Sequence, residues 1–403
     1  MLDPFTGLKN TQENITMKKI IASALGLMMV GGVAASTASA FESEFGGYWR
    51  TRMVAADNMT QGDNYFLTDN RTRLYYTAKF NDDFKFVNKF EFNTTWGDSG
   101  LAGGGVGADG RGIFRIKNSY IDANFGTTNL KLGIQGTGIA RGFIFADDFS
   151  GAMVTMDLGS VAVTPFYIAV LSEDGGDADY DRGYFGALAS VKISDAISLN
   201  PYVMYDGAGS GTSVDDDGVS TNVGDIENLY IGTDFDMKMD AVSLWGTAIY
   251  NNSSILNVDS DDFLGAVGVN AGIAHGQAFY ASEDFVSAPG SSYYWSEILG
   301  LGVFDQAAPG GPDDNITNVW AVNGGVTLKP MDKLTIDADV WYAMLTEDDA
   351  TGEDELGLEF DGKLTYALMD NLNAEFILAY LVAGDAVGDD DVFEGGVRVS
   401  LKF

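Results

Sequence analysis

Apolar and polar residues alternate along most of this chain, and they do so in blocks. In Arg71–Phe92 (RTRLYYTAKFNDDFKFVNKFEF), Thr72, Leu74, Tyr76, Ala78 and Phe80 share one parity. Arg71, Arg73, Tyr75, Thr77 and Lys79 share the other. Beyond Asn81–Asp83 the pattern resumes, with Phe84, Phe86, Phe90 and Phe92 opposing Lys85, Lys89 and Glu91. A period of two is the signature of a β-strand with two unlike faces. The same pattern recurs in Asp225–Met237, Lys333–Met344, Glu355–Leu368, Asn371–Val382 and Asp391–Phe403. In Glu355–Leu368, for example, Leu356, Leu358, Phe360, Leu364 and Tyr366 oppose Glu359, Asp361 and Lys363.

The connectors alternate as well. Asn81–Asp83, Gly126–Thr128, Pro330–Asp332 and Met369–Asn371 are short. SEDGGDADYD, DGAGSGTSVDDDGVSTNVGD, TEDDATGEDE and GDAVGDDD are long, acidic and mostly rich in glycine. Strands of about ten residues, with short turns at one end and long polar loops at the other, predict an all-β transmembrane antiparallel up-and-down β-barrel. We count about eighteen strands, with sixteen as the alternative, both even as the architecture requires. Three strands are less regular. Val161–Leu171 is apolar on both faces and so a candidate subunit contact, Ile113–Phe125 shifts register, and Gln277–Ser282 is short. A soluble all-β sandwich or β-helix predicts the same hairpins with the faces exchanged. The leader segment, the alternating connector lengths and the terminal Phe403 favour the barrel.

The N-terminus carries Lys18-Lys19, the apolar run IIASALGLMMVGGVAA and Ala38-Ser39-Ala40. That order is a secretory signal peptide. Residues 1–16 read as an upstream extension, 17–40 as the signal peptide and 41–403 as the barrel, which predicts an exported protein of the bacterial outer membrane. The net charge of −35 argues against nucleic acid as a partner. The absence of cysteine removes disulfides and thiolate metal sites.

With the phenylalanines facing acyl chains, the charged parity faces a water-filled lumen. Arg50, Arg52, Arg71, Arg73, Lys79, Lys85, Lys89, Arg115, Lys117 and Lys131 then form a basic arc on contiguous early strands. Asp206, Asp234, Asp236, Asp337, Asp339, Glu359, Asp361 and Glu375 form an acidic arc on later ones. The segregation predicts a transverse field that orders water and favours small polar solutes. The connector GTGIARGFIFADDFSG (136–151) is less acidic and carries Ile139, Phe143, Ile144 and Phe145. Such a loop avoids bulk water. Folded into the barrel, it would act as a constriction loop contributing Arg141, Asp147 and Asp148. Packing on a neighbouring subunit or on lipopolysaccharide is the alternative.

The segments TRLYYTAKFNDDFKFVNKFEFNTTWGD, GADGRGIFRIKNSYIDANFG, LKLGIQG and FADDFSGAMVTMDLG resemble the homotrimeric outer-membrane general porins of sulfate-reducing and related bacteria. The match is clearest over roughly residues 65–160, and the final GGVRVSLKF is a generic barrel ending. The resemblance implies a trimeric general diffusion porin passing small hydrophilic solutes and ions. It also implies that Arg71, Arg73, Arg115 and Lys117 line the pore, and that Asp147 and Asp148 belong to the constricting loop.

No enzyme motif stands out. The one histidine, His275, falls at a turn, and no activated serine or H-E-x-x-H accompanies it. No cofactor is expected. VDDDG and VDSDD are candidate Ca²⁺ ligands by carboxylate density but lack EF-hand spacing. Two rival functions remain. A substrate-specific channel for sugars or organic acids would use Tyr48, Tyr75, Trp245 and Trp341 as an aromatic track. A structural or adhesive barrel would act through its loops.

Overall fold

The computed structural model describes residues 41–60, 63–98, 103–106, 113–171, 182–208, 211–214, 220–223, 226–255 and 258–403. The expected leader (residues 1–40) and the acidic segment 172–181 lie outside them. Eighteen strands form one closed antiparallel sheet. The first nine are β1 (Glu42–Thr60), β2 (Asp63–Asn81), β3 (Phe84–Thr95), β4 (Ile113–Phe125), β5 (Thr128–Ile139), β6 (Phe145–Asp157), β7 (Val161–Leu171), β8 (Arg182–Lys192) and β9 (Ile197–Ala208). A small hairpin, β10 (Gly211–Val214) with β11 (Ser220–Val223), stands apart from the wall. The wall resumes with β12 (Ile226–Met239), β13 (Val242–Ile255), β14 (Val258–Ala271), β15 (Ala274–Ala281) and β16 (Val319–Met331). It ends with β17 (Leu334–Leu345), β18 (Glu355–Met369), β19 (Leu372–Ala383) and β20 (Val392–Lys402). β20 pairs with β1, from Tyr48↔Lys402 to Asp57↔Phe393, and closes the ring. Closure leaves no free edge at this seam.

The two parities separate as the alternation requires. Leu74, Phe92, Val340, Phe360, Phe376 and Val397 point outward and are exposed, while Arg73, Asp337 and Asp361 line an interior cavity. Aromatic rings gather at both edges of the outer surface. Near the short turns Phe80 packs between Phe41 and Phe84, with ring centroids 5.8 and 5.2 Å away. Near the loop end, Tyr250 and Tyr380 direct their hydroxyls to Asp261 and Asp391, each at 2.5 Å. An apolar outer band bounded by aromatic rings is the surface a barrel presents to a bilayer.

The interior is not uniformly polar. At the loop end of the barrel the inward parity becomes apolar: Ile168, Met204, Ile249, Leu264, Ala379 and Leu381 are buried in one cluster. Two insertions fill this half of the lumen. One is residues 282–318, between β15 and β16, whose Phe285, Ile298, Leu299 and Ile316 join the cluster. The other is the end of the β5–β6 hairpin, which supplies Ile139, Phe143, Ile144 and Phe145. The inner core accounts for the inward apolar face of β7, since Phe166 and Ile168 pack into it. Leu356, which shares the parity of the lipid-facing residues, is likewise fully buried in the core, after a register shift beside Gly357.

The hairpin leaves the wall at a matched pair of glycines. β4–β5 pairing stops at Ser119↔Ile134 and β6–β7 pairing at Ser150↔Ala169, whereas β5 and β6 stay paired to Ile139↔Phe145. Just below, Gly133 faces Gly151. Gly133 has φ +128°, and a Cβ there would come within 2.4 Å of the Ser119 carbonyl oxygen; at Gly151 a Cβ would lie 2.0 Å from that of Tyr167. Only glycine lets both strands pass so close to their neighbours. β4 adjusts by a bulge at Lys117, between Ile116 and Asn118; the register shift expected near the end of this strand falls near its middle.

Gly151→Val is therefore expected to unseat the hairpin and lower barrel stability by about 1–3 kcal/mol. Urea titration of the refolded protein, followed by tryptophan fluorescence, measures it, and a midpoint equal to wild type would remove the hinge assignment.

Candidate functional site: a charged cavity beneath two inward insertions

Below the apolar plug lies a cavity of about 650 Å³. Arg50, Arg71, Arg73 and Arg398 stand on one side and Asp337, Asp339 and Asp361 on the other, with Lys363 beside the acids. Trp245 and Trp341 line it from the wall, and Tyr294, Trp295 and Asp305 from the long insertion. Tyr48 and Tyr75 are not among its lining residues. The aromatic groups form a patch at this cavity rather than a track along the lumen.

The basic arc is more neutralised than the sequence suggests, because acids interleave with it. Arg73 donates to Glu91 at 2.6 Å, and Arg71 lies 3.6 Å from the same carboxylate while donating to Asn93. Lys79 pairs with Glu44, Lys85 with Asp122 at 3.2 Å, and Lys117 with Asp148 at 2.5 Å. Arg52 does not line the cavity, and Arg50 borders it with a largely buried side chain. Both are buried, and Arg52 uses its guanidinium on Asp69, on Asp305 at 2.7 Å and on the Val303 carbonyl at 2.9 Å. The insertion covers them, and a segment without lysine or arginine gives no sequence sign that it will. Lys89, Arg115 and Lys131 make no ion pair with any described residue; Lys89 sits 5.5 Å from the centroid of the Tyr75 ring.

The acidic arc divides into three uses. Asp337 and Asp339 face the cavity, where Asp339 Oδ1 is 2.7 Å from His275 Nε2 and accepts from Asn323. Glu375 is bound by Arg398, with one bond at 2.7 Å. Glu359 does not line the pore at all. It is fully buried and accepts the Ile298 N–H at 2.7 Å, the Leu299 N–H at 2.9 Å and the Ser296 hydroxyl at 2.9 Å. A carboxylate that takes three donors from one segment is an anchor for that segment. Asp206 is similarly buried, held by Arg182.

The hairpin crosses the lumen. Its tip is a single 3-10 turn, Ala140–Gly142, with Ala140 at φ +54° and Arg141 at φ +58°. Two successive non-glycine residues in the left-handed region store strain, and such strain persists only where surrounding contacts fix it. Here Arg141 reaches β12, donating to Asp236 at 2.9 Å with Asp234 at 3.9 Å, and lies 5.0 Å over Trp245. The tip also joins the long insertion: Phe143 stacks on Tyr293 at 3.8 Å, and Gly142 accepts the Ser292 N–H. Asp148 reaches back to Lys117 and Asn118 on β4, while Asp147 is exposed.

Our reading of the connectors passed over residues 282–318. Their signal was present in YYWSEILGLGVF, a loop stretch with aromatic and aliphatic residues and one charge. Among them Glu297 is half-buried; burial and the neighbouring Glu359 push its carboxyl above the usual range, against the Val303 N–H, Lys363 and Arg398.

Solved structures with this fold are known. The chain overlays on Pseudomonas aeruginosa OccK9 (OpdG) with a TM-score of 0.61 at 12% identity, covering 90% of this chain and 99% of that one. Acinetobacter baumannii OccAB4 gives 0.60 at 11%, covering 90% and 98%. Pseudomonas aeruginosa OpdK, solved with vanillate, gives 0.59 at 14%, covering 90% and 98%. No protein-family model matches the chain. No curated protein matches it either.

Glu359→Ala would leave three buried donors without an acceptor, and is expected to loosen the insertion at a cost of about 3 kcal/mol. Chymotryptic cleavage near Tyr293–Tyr294 should then quicken in the folded barrel; an unchanged cleavage rate would show that Glu359 does not anchor it.

Proposed function

We propose that this chain is an outer-membrane channel that selects small organic anions and zwitterions. What carries the reading is the cavity, with guanidinium groups on β20, β1 and β2, carboxylates on β17 and β18, and indole rings on the same wall beside the acids. Its narrowing by two insertions favours selection over free diffusion. A carboxylate entering from the wide side would meet Arg71 and Arg73, each half-buried and already partly oriented by Glu91 and Asn93. Oriented guanidinium groups bind carboxylates through charge-assisted bonds. The opposite wall of Asp337 and Asp339 would receive an ammonium or hydroxyl group, and Trp341 and Tyr294 would flank an apolar or aromatic body.

The fold shared with OpdK, a protein solved with vanillate, makes an aromatic carboxylate the natural first probe. General diffusion remains the second reading, supported by the cations without ion-pair partners on β3–β5, which would pass many anions weakly. Export through residues 17–40, a homotrimeric assembly and contact with lipopolysaccharide belong to the same proposal, supported by the leader pattern and the apolar outer band. No cofactor enters the reading, and Ca²⁺ would serve only to bridge acidic loops.

Reconstituted from Phe41 into planar bilayers, the protein should give stepwise currents that vanillate blocks saturably. Arg71→Ala with Arg73→Ala should weaken that block about tenfold, the loss of one charge-assisted bond. Currents indifferent to vanillate would favour general diffusion, and a silent bilayer would end the channel reading.

A further inference from the structure

Glu394 on β20 does not line the cavity and has no hydrogen-bond or ion-pair partner among the described residues. It is fully buried, and neither carboxyl oxygen has a hydrogen-bond donor. Its strand neighbours on the two sides are Ala56 and Ala379, which offer none. Two residues further along the same face, Phe304 of the insertion fills the space left by Gly396. The charged and titratable groups around Glu394 come from four elements. They are Glu297 and Asp305 on the insertion, Glu359 on β18, Arg52 on β1 and Tyr65 on β2. Arg52 is already committed to Asp69 and Asp305. Asp361, next to Glu359 on the inner face, accepts the Glu297 N–H through one oxygen and leaves the other buried and unpaired.

Five carboxyl groups, Glu297, Asp305, Glu359, Asp361 and Glu394, thus meet where the insertion joins the wall; Glu359 and Asp305 are supplied with donors, whereas Glu394 has none among the described residues and Asp361 keeps one oxygen unpaired. An ionised carboxylate lacking both water and donors is strongly disfavoured, and adjacent carboxylates disfavour one another. The insertion therefore docks best when some of these groups carry protons.

We propose that residues 282–318 form a proton-latched gate: they sit in the lumen while Glu394 and its neighbouring acids are protonated, and ionisation releases them. The proposal rests on the channel reading and concerns its regulation. The sign follows from the raised value at Glu297. A carboxyl held protonated in the docked state adds to docking below its ordinary range, and loses that contribution as pH rises through the raised value.

The test is single-channel conductance of the reconstituted protein between about pH 6 and pH 9. Wild type is expected to conduct about twofold more at the upper end, and Glu394→Gln, neutral throughout, to stay flat at the lower level. The same pair compared for chymotryptic cleavage near Tyr293 should show faster cutting at high pH in wild type alone. If Glu394→Gln does not fold, Glu297→Gln should blunt the rise. A conducting wild type with no pH response overturns the gate and leaves the channel. A Glu394→Gln variant that rises like wild type also overturns the gate. Silence at every pH overturns the channel reading, and the gate with it.

Discussion

Every backbone donor and acceptor in a bilayer must find a partner within the protein, and the closed ladder from β1 round to β20 meets that requirement. Much else follows from it. Because the wall is a two-faced sheet, each strand has one face toward hydrocarbon and one toward the lumen. Anything that narrows the lumen must leave the ladder without exposing broken pairs to lipid. The β5–β6 hairpin does this by keeping its own pairing intact to Ile139↔Phe145 while separating from β4 and β7 at the two facing glycines. The segment 282–318 does it without strands, taking its hydrogen bonds from Glu359, Asp361, Arg52 and its own turns.

The barrel was legible in the sequence because period two is a local signal. Phe376 against Glu375, or Val397 against Arg398, states which side is which without reference to any distant residue. The inward hairpin was half legible: Phe143, Ile144 and Phe145 announce burial, although nothing local says that β5 and β6 run on as strands to Ile139 and from Phe145. The anchoring role of Glu359 was not legible. Its parity marks it as inward, and an inward acid in a barrel reads as pore lining. Only the arrival of Ile298, Leu299 and Ser296 from some sixty positions away converts it into an acceptor for backbone N–H groups. Arg52 was misplaced for the same reason, since Asp305 and Val303 take its guanidinium from a segment with no strand pattern to reveal its path, whereas Arg50 still borders the cavity beside Asp305.

The lumen consequently holds two environments in series. At the loop end side chains pack as in a soluble core, with Phe143, Phe279, Tyr293 and Trp295 in mutual ring contact. Toward the turns the same inward parity carries arginine and aspartate around open space. The boundary falls at Trp341, which packs edge-on against Trp295 at 5.1 Å and still lines the cavity. The second environment offers partners to a polar group, whereas the first is closed by apolar packing.

This arrangement separates the charged cavity from the apolar packing above it. Arg71, Arg73 and Asp339 stand on wall strands, whereas Tyr294, Trp295 and Asp305 reach the cavity from the insertion. The plug is attached to that wall by hydrogen bonds to Glu359 and Asp361 and by Arg52, and its interior contacts are van der Waals packing of side chains from the two insertions onto strand ends. Apolar packing of this kind is strong in sum but lacks directional restraint, whereas the bonds to Glu359 and Arg52 are few and directional. The directional bonds of the plug thus come from a small number of ionisable groups at its base, while its bulk is apolar packing.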